Sequence, residues 1–268
     1  MLSNYHTHST FCDGKNTPEE IVLAAIDKGF DVIGLSGHGH TDFDVRYCLK
    51  AGADVPFRAE VRRLQKLYGD KIKIHLGSEE DAFRPVNRSD YEYIIGSSHY
   101  TFKDGKYYPI DSGYDYFSAC LKAWGGDAMA FAEDYYTRFC DYIVKRKPDI
   151  VGHFDLITKF DEKYGPMFLG DPQYEALAAK FTEITVKSGC VIEVNTGAIS
   201  RGYRNTPYPH EKLLHIIKKE GGRLVLNSDS HNIDTLDFHF TEARRLLKDV
   251  GIKELYHFVD GGFVKEQI

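Results

Sequence analysis

Short apolar segments alternate with amphipathic ones along most of this chain, and that rhythm constrains its fold more than any other feature. Residues 2–6 read as a strand. Thr17-Pro18-Glu19-Glu20 opens a helix: Thr17 caps it, Pro18 suits the first helical position and Glu20 completes a capping box. Gly29 stops that helix, and residues 31–36 form the next strand. A helix over about 56–68 leads to a strand over 71–77, and 93–97 is again strand-like. A long helix over 127–147 is ended by Pro148, with a short strand at 150–153. Asp171-Pro172 starts a helix that ends at Gly189; strand 190–195, helix 209–220, strand 223–227, helix 240–250 and a last short strand at 255–259 follow. Strands separated by helices of this length imply parallel βαβ units. About seven or eight units in 268 residues fit a closed or distorted (β/α) barrel, with an open parallel sheet as the second choice. Residues 101–126, rich in Tyr, Phe and Gly, and 159–169 break the rhythm. Long loops of this kind are commonly lids or binding loops.

Composition enters through histidine. The chain has 12, more than its 9 prolines, and their placement follows the strands. His6 and His8 end the first strand. His38 and His40 follow the second, Glu79 and Glu80 the third, His99 the fourth and His153 the fifth. Glu193 and Asn195 end the sixth, and Asp229 and His231 follow the seventh. In a parallel barrel the C-terminal strand ends share one face, and that face holds the active site. Isolated core or surface roles explain any one of these residues, but not the whole series at one end of successive strands. Imidazoles and carboxylates without thiolates suit Zn, Mn or Fe(II). A typical site takes three or four protein ligands, so this many donors imply two or three ions. Alternation along an extended strand sends Glu79 and Glu80 to opposite faces and leaves open which of them faces the interior. His75, His210, His215, His239 and His257 are expected in ordinary core or surface roles, and His40 lies one step past the ligand position.

Several classes drop out. The net charge is −6 and no Lys/Arg cluster occurs, which disfavours nucleic acid as a partner. No apolar run is long enough to span a membrane, and the first residues lack the pattern of a signal peptide. The 5 cysteines are scattered without a Cys-x-x-Cys pair, which argues against a disulfide framework and places the chain in a reducing cytoplasm.

The motif series resembles that of the polymerase and histidinol phosphatase (PHP) family. It comprises His6-x-His8 with Asp13-Gly14 shortly after, Gly37-His38-Gly39, Gly77-x-Glu79, Ser98-His99, Gly152-His153 and Asp229-x-His231, in the family's order. The resemblance implies a distorted barrel of seven strands, here one domain over 1–268 with an insertion at about 101–126. It also implies a centre of two or three metal ions at the C-terminal strand ends. One ion would take His6, His8, Glu79 and Asp229; a second would share Glu79 and take His99 and His153; a third would use His38, His231 and Asp13. Within the family, Gly152 through Lys159, Glu193 through Gly197 and the loop at 201–209 look most like L-histidinol-phosphate phosphatases.

The implied reaction is hydrolysis of a small phosphomonoester, L-histidinol phosphate, in histidine biosynthesis. Asp13, Glu79, Asp229 and His231 are the candidate catalytic residues, with Asp13 or a rim histidine supplying the leaving group's proton. Arg201, Arg204 and Lys159 are candidates for the phosphate oxygens, since guanidinium forks suit phosphate. Asp155, Asp161 and aromatics between Tyr100 and Phe117 are candidates for the ammonium and imidazole. The alternatives are a phosphotyrosine or nucleotide phosphoesterase of the same family, or a non-enzymatic metal-binding module. The sequence leaves the oligomeric state open.

Overall fold

The computed structural model describes all 268 residues. In chain order the elements are β1 (Ser3–Asn4), α1 (Pro18–Asp27), β2 (Val32–Leu35), α2 (Asp54–Tyr68), β3 (Lys73–Asp81), β4 (Tyr93–Ser97), β5 (Tyr100–Lys103) and β6 (Lys106–Pro109). There follow α3 (Tyr114–Ala123), α4 (Ala128–Arg146), β7 (Ile150–Val151), α5 (Asp161–Tyr164), α6 (Pro172–Lys187) and β8 (Val191–Asn195). The last are α7 (Gly197–Ser200), α8 (Glu211–Lys219), β9 (Arg223–Asn227), α9 (Phe240–Val250), β10 (Glu254–Val259) and β11 (Gly262–Gln267).

Seven parallel strands in the order β1-β2-β3-β4-β7-β8-β9 form the barrel. Its first and last strands meet beyond their ends, where His8 N donates to Ser230 O at 2.8 Å and Ser230 N to His6 O at 3.0 Å. Lower down, side chains replace the ladder: Tyr5 N donates to Asn227 Oδ1 and Asn4 Nδ2 to Ser228 Oγ. This substitution is why only Ser3–Asn4 of the expected 2–6 strand is regular. The expected capping box is present, with Glu20 N on Thr17 Oγ1 and Thr17 N on Glu20 Oε2.

Strand alternation sorts the side chains. Outward residues join the helices in a core of 51 buried residues. Inward residues at the lower end form a second cluster of 8, including Tyr5, Tyr93, Ile95, Val191, Val225 and Phe258. Phe258 belongs to β10, which pairs antiparallel with β11 and closes this end of the barrel. The segment at 255–259 is therefore a plug hairpin and not a further barrel strand. The insertion is likewise structured: β5 and β6 form a hairpin and α3 follows. The 159–169 loop contains α5.

The ring of Tyr93 lies across the interior of β2 and β3. A Cβ at Gly77 would stand 2.2 Å from its Cζ, and one at Gly34 would stand 2.2 Å from its Oη. The ring cannot give way easily, because it packs on Tyr5 at 5.8 Å and Phe258 at 5.5 Å between centroids. Gly77→Ala is expected to cost about 1–3 kcal/mol through overpacking. A urea titration should show a lower midpoint at unchanged slope; an unchanged midpoint would mean that the barrel floor is looser than described.

Candidate metal centre

Above this aromatic floor the inward positions become polar. β3 runs four residues beyond its expected end, so Glu79 sits within the strand, pointing inward, and Glu80 points outward. Glu80 accepts from Tyr142 Oη, from Arg146 Nε and Nη2 and from Val86 N, and so ties β3 to α4. Glu79 is 1% exposed and stands at the centre of the histidines. Its Oε2 lies 3.1 Å from His6 Nε2, 3.4 Å from His8 Nε2 and 2.9 Å from His38 Nδ1. Its Oε1 lies 3.2 Å from His99 Nε2 and 3.0 Å from His153 Nε2. One carboxylate thus divides five imidazoles between its two oxygens, as a bridging ligand would.

Asp229 closes the other side, with Oδ1 3.2 Å from His8 Nε2 and 3.6 Å from His6 Nε2. Its backbone φ is +50°, a left-handed conformation that Asp tolerates better than most residues. At the rim Asp13 lies 3.3 Å from His231 Nε2, 3.7 Å from His38 Nε2 and 3.8 Å from His8 Nδ1. Four overlapping donor groups are compact enough to hold an ion: His8, Asp13, His38 and His231; His6, His8 and Glu79; His6, His153 and Asp229; His38, Glu79 and His99. All nine residues expected as ligands are therefore brought together. The groups overlap, with His38 between Glu79 and Asp13, so the third set expected from the family resemblance adjoins the two that share Glu79.

The residues fit divalent ions. His6 Nε2, His8 Nε2 and Glu79 Oε2 are buried without hydrogen-bond partners, a costly arrangement unless something else binds them. The carboxylates are held ionised. Burial pushes the Glu79 carboxyl up, but His6, His38, His99 and His153 together bring it well below its ordinary value. Asp229 behaves alike, with Arg201 and His6 the leading opposing charges.

Two carboxylates in supporting roles were not anticipated. Glu193 accepts from His6 Nδ1 at 2.7 Å, His153 N at 2.8 Å, Asn195 Nδ2 at 2.8 Å and Asn227 Nδ2 at 2.9 Å. Asp81 accepts from His99 N and lies 3.3 Å from His99 Nδ1. Glu193 ends its strand as a ligand would, but the strand-end position alone does not tell a ligand from the group that orients one. Such outer carboxylates fix the imidazole's tautomer and direction. All four partners of Glu193 donate, so Glu193→Gln must turn an amide N–H₂ against a donor. Metal affinity is expected to fall about 10–100-fold, read by competition with a chromophoric chelator. Unchanged affinity would deny Glu193 the orienting role.

The centre opens into a cavity of about 370 Å³, lined also by Arg46, Tyr47, Tyr100, Asp111, Lys159 and Arg201. Arg201 Nη2 donates to Asp229 Oδ2 at 2.8 Å and Nη1 to Asp229 O at 3.0 Å. Lys159 Nζ donates to Asp111 O at 2.8 Å, and burial lowers its pKa against the pull of Asp111.

Three expected substrate contacts are not met. Arg204 does not line the cavity; its side chain is fully buried against Thr158 and Asp155. Asp155 is 0% exposed and pairs with Arg204 and His210 N. Asp161 is buried and accepts from Phe168 N and Leu169 N, which organises its own loop. Of the aromatics between 100 and 117, Tyr100 reaches the cavity, whereas Phe117 is core. His40 faces Leu49 O, away from the centre, and His75 pairs with Glu92.

A family model described as the PHP domain matches residues 4–197. The chain belongs to the PHP family. It is 27% identical over 276 residues to a Schizosaccharomyces pombe protein named as a probable histidinol-phosphatase, covering 95% of this chain and 89% of that one. Its fold matches HisK of Listeria monocytogenes with a TM-score of 0.77 at 20% identity, covering 90% of this chain and 99% of that chain. It also matches the histidinol phosphate phosphatase of Lactococcus lactis, solved with Zn, L-histidinol and phosphate, with a TM-score of 0.71 at 21% identity and 98% of both chains covered. The PHP barrel of seven parallel strands is thus the architecture observed here.

Proposed function

We propose that this PHP protein is a metal-dependent phosphomonoesterase that hydrolyses L-histidinol phosphate to L-histidinol and phosphate. The observation that carries this reading is the position of Glu79 between two sets of imidazoles, in a cavity that also presents Arg201 and Lys159. The substrate comes from the relatives. The match to the S. pombe protein runs nearly end to end, and the L. lactis neighbour holds both halves of the proposed substrate, L-histidinol and phosphate.

In this reading His6, His8, His38, His99, His153, His231, Asp13, Glu79 and Asp229 hold two or three divalent ions. Zn, Mn and Fe(II) all suit the donor set. Such ions supply charge for the phosphoryl oxygens and a water activated near neutral pH. Arg201 and Lys159 take the remaining phosphate oxygens, and a cationic pocket of this kind does not need a basic protein surface. With two ions bound, the rim pair is free of metal, and His231, held 3.3 Å from the Asp13 carboxylate, is assigned the proton for the leaving alkoxide. Glu193 and Asp81 keep the imidazoles aimed. The nine ligand positions exceed what a single structural zinc needs, which favours an enzyme over a binding module. We assign the activity to one domain over residues 1–268 and to the cytoplasm; no helix is long and apolar enough to cross a membrane.

The test is phosphate release by protein loaded with Mn, Zn or Fe(II), from histidinol phosphate, a phosphotyrosine peptide and nucleotides. Histidinol phosphate should be turned over far better than the others. Preference for the phosphotyrosine peptide or a nucleotide would move the chain to a different branch of PHP phosphoesterases, and release from none would overturn the enzyme reading.

A further inference from the structure

Arg204 presents an unusual problem for a guanidinium. Its side chain is 0% exposed, and a buried cation is tolerated only when charges and hydrogen bonds surround it. Here they come from two loops. From the loop after β7, Thr158 Oγ1 accepts from Nη1 at 2.7 Å and Asp155 Oδ2 stands 3.6 Å away. Glu162 of the following α5 lies 3.5 Å from Nε. On the loop after β8, which carries Arg204 itself, Thr206 Oγ1 accepts from Nη2 and the ring of Tyr208 lies 4.4 Å beneath the guanidinium. Asp155 Oδ2 also accepts from His210 N at 2.9 Å, a second tie between the same loops.

What these loops carry gives the arrangement its meaning. Lys159 directly follows Thr158, and Arg201 precedes Arg204 by three positions. Both Lys159 and Arg201 line the cavity over the candidate metal centre, whereas Arg204 does not. The loop after β7 carries His153 near its start, and that ring lies 6.3 Å from the ring of Tyr208. Tyr208 in turn exchanges two backbone hydrogen bonds with Asn195 at the end of β8.

We infer that Arg204 is a positioning residue, clamping the loop after β7 to the loop after β8 and so setting the separation of Lys159 and Arg201 in the cavity. The inference rests on the phosphomonoesterase reading for what those two cations bind. Arg204 has no exposed surface through which a phosphate could reach it, so it acts through its neighbours. Small misplacements of binding groups cost large factors in rate, which gives such a clamp a function beyond filling space.

The experiment compares Arg204→Gln, Thr158→Val and the double variant with wild-type, metal-loaded protein. Thr158→Val removes the 2.7 Å acceptor without leaving a buried charge unpaired, so it carries the test if Arg204→Gln fails to fold. For Arg204→Gln, KM for histidinol phosphate should rise about tenfold. Inorganic phosphate, titrated calorimetrically, should bind more weakly by the same factor. The fall in kcat should be smaller, and metal content should stay at the wild-type level. Thr158→Val should move KM and phosphate affinity about threefold in the same direction. The double variant should be no worse than Arg204→Gln alone, because both break one clamp.

Folded variants with wild-type KM and phosphate affinity would overturn the inference. So would metal loss in step with activity, which is the signature of a merely structural role, or additive effects in the double variant. Failure of the wild type to hydrolyse histidinol phosphate would count against the phosphomonoesterase reading alone. The phosphate titration on the same proteins still decides the role of Arg204.

Discussion

Glu79→Gln is expected to remove bound metal and to lower kcat/KM at least about a thousandfold. Both oxygens of Glu79 are committed, Oε2 to three imidazoles and Oε1 to two. A glutamine keeps one carbonyl oxygen and turns an N–H₂ toward nitrogens that also need an acceptor or an ion. It also removes a charge from the middle of the centre. The loss should therefore exceed that from any single histidine. Glu80→Gln is the internal control. Glu80 faces the opposite side of β3 and holds Tyr142, Arg146 and Val86 N. Its substitution should destabilise the fold by about 2 kcal/mol while leaving metal content intact. Metal analysis after gel filtration reads both variants. Full metal occupancy in Glu79→Gln, or metal loss in Glu80→Gln, would reverse the assignment of the doublet.

That doublet shows what kind of information the sequence carries. Strand parity sends Glu79 and Glu80 to opposite faces, because neighbours on a strand face opposite ways, and the family's Gly-x-Glu pattern picks Glu79 for the interior. The same local periodicity places the histidine-bearing strand ends and brings eight of the nine proposed ligands to one face; Asp13, in the loop between β1 and α1, comes only with the family's motif. Local pattern fails where partners come from distant segments. A segment such as 255–259 has strand composition, but nothing within it says that it pairs with Gly262–Gln267 and plugs the barrel. Arg204 and Asp155 read as loop charges available to a substrate. The burial of Arg204 depends on Thr158, Asp155 and Glu162 arriving from another loop, and that of Asp155 on Arg204 and His210 arriving in return. Glu193 sits at a ligand-like strand end, yet it meets His6 Nδ1, the nitrogen directed away from the centre. Chain position reveals which donors cluster, and three-dimensional packing decides which of them touch an ion and which hold those that do.

The same distinction governs Arg201, the cation best placed to serve two masters at the site. Its Nη2 and Nη1 engage the Asp229 side chain and carbonyl, and Nη1 lies 3.3 Å from His231 Nδ1. Its side chain remains 31% exposed, so part of the guanidinium faces the cavity. Arg201→Ala should lower kcat/KM by about 10²–10³, the range for removing one preorganised donor from a developing charge. That loss corresponds to about 3–4 kcal/mol of transition-state stabilisation. Arg201→Lys keeps the charge but not the planar fork, so it should recover only part of the activity. Asp229 still has His6 and His8 beside it, and metal content should fall far less than in Glu79→Gln. The decisive comparison is inhibition by inorganic phosphate. A phosphate-binding Arg201 predicts a weakened inhibition constant in both variants, alanine more than lysine. If phosphate inhibits Arg201→Ala as strongly as wild type while metal is lost, Arg201 serves only to hold Asp229, and Lys159 is left as the cavity's principal phosphate cation.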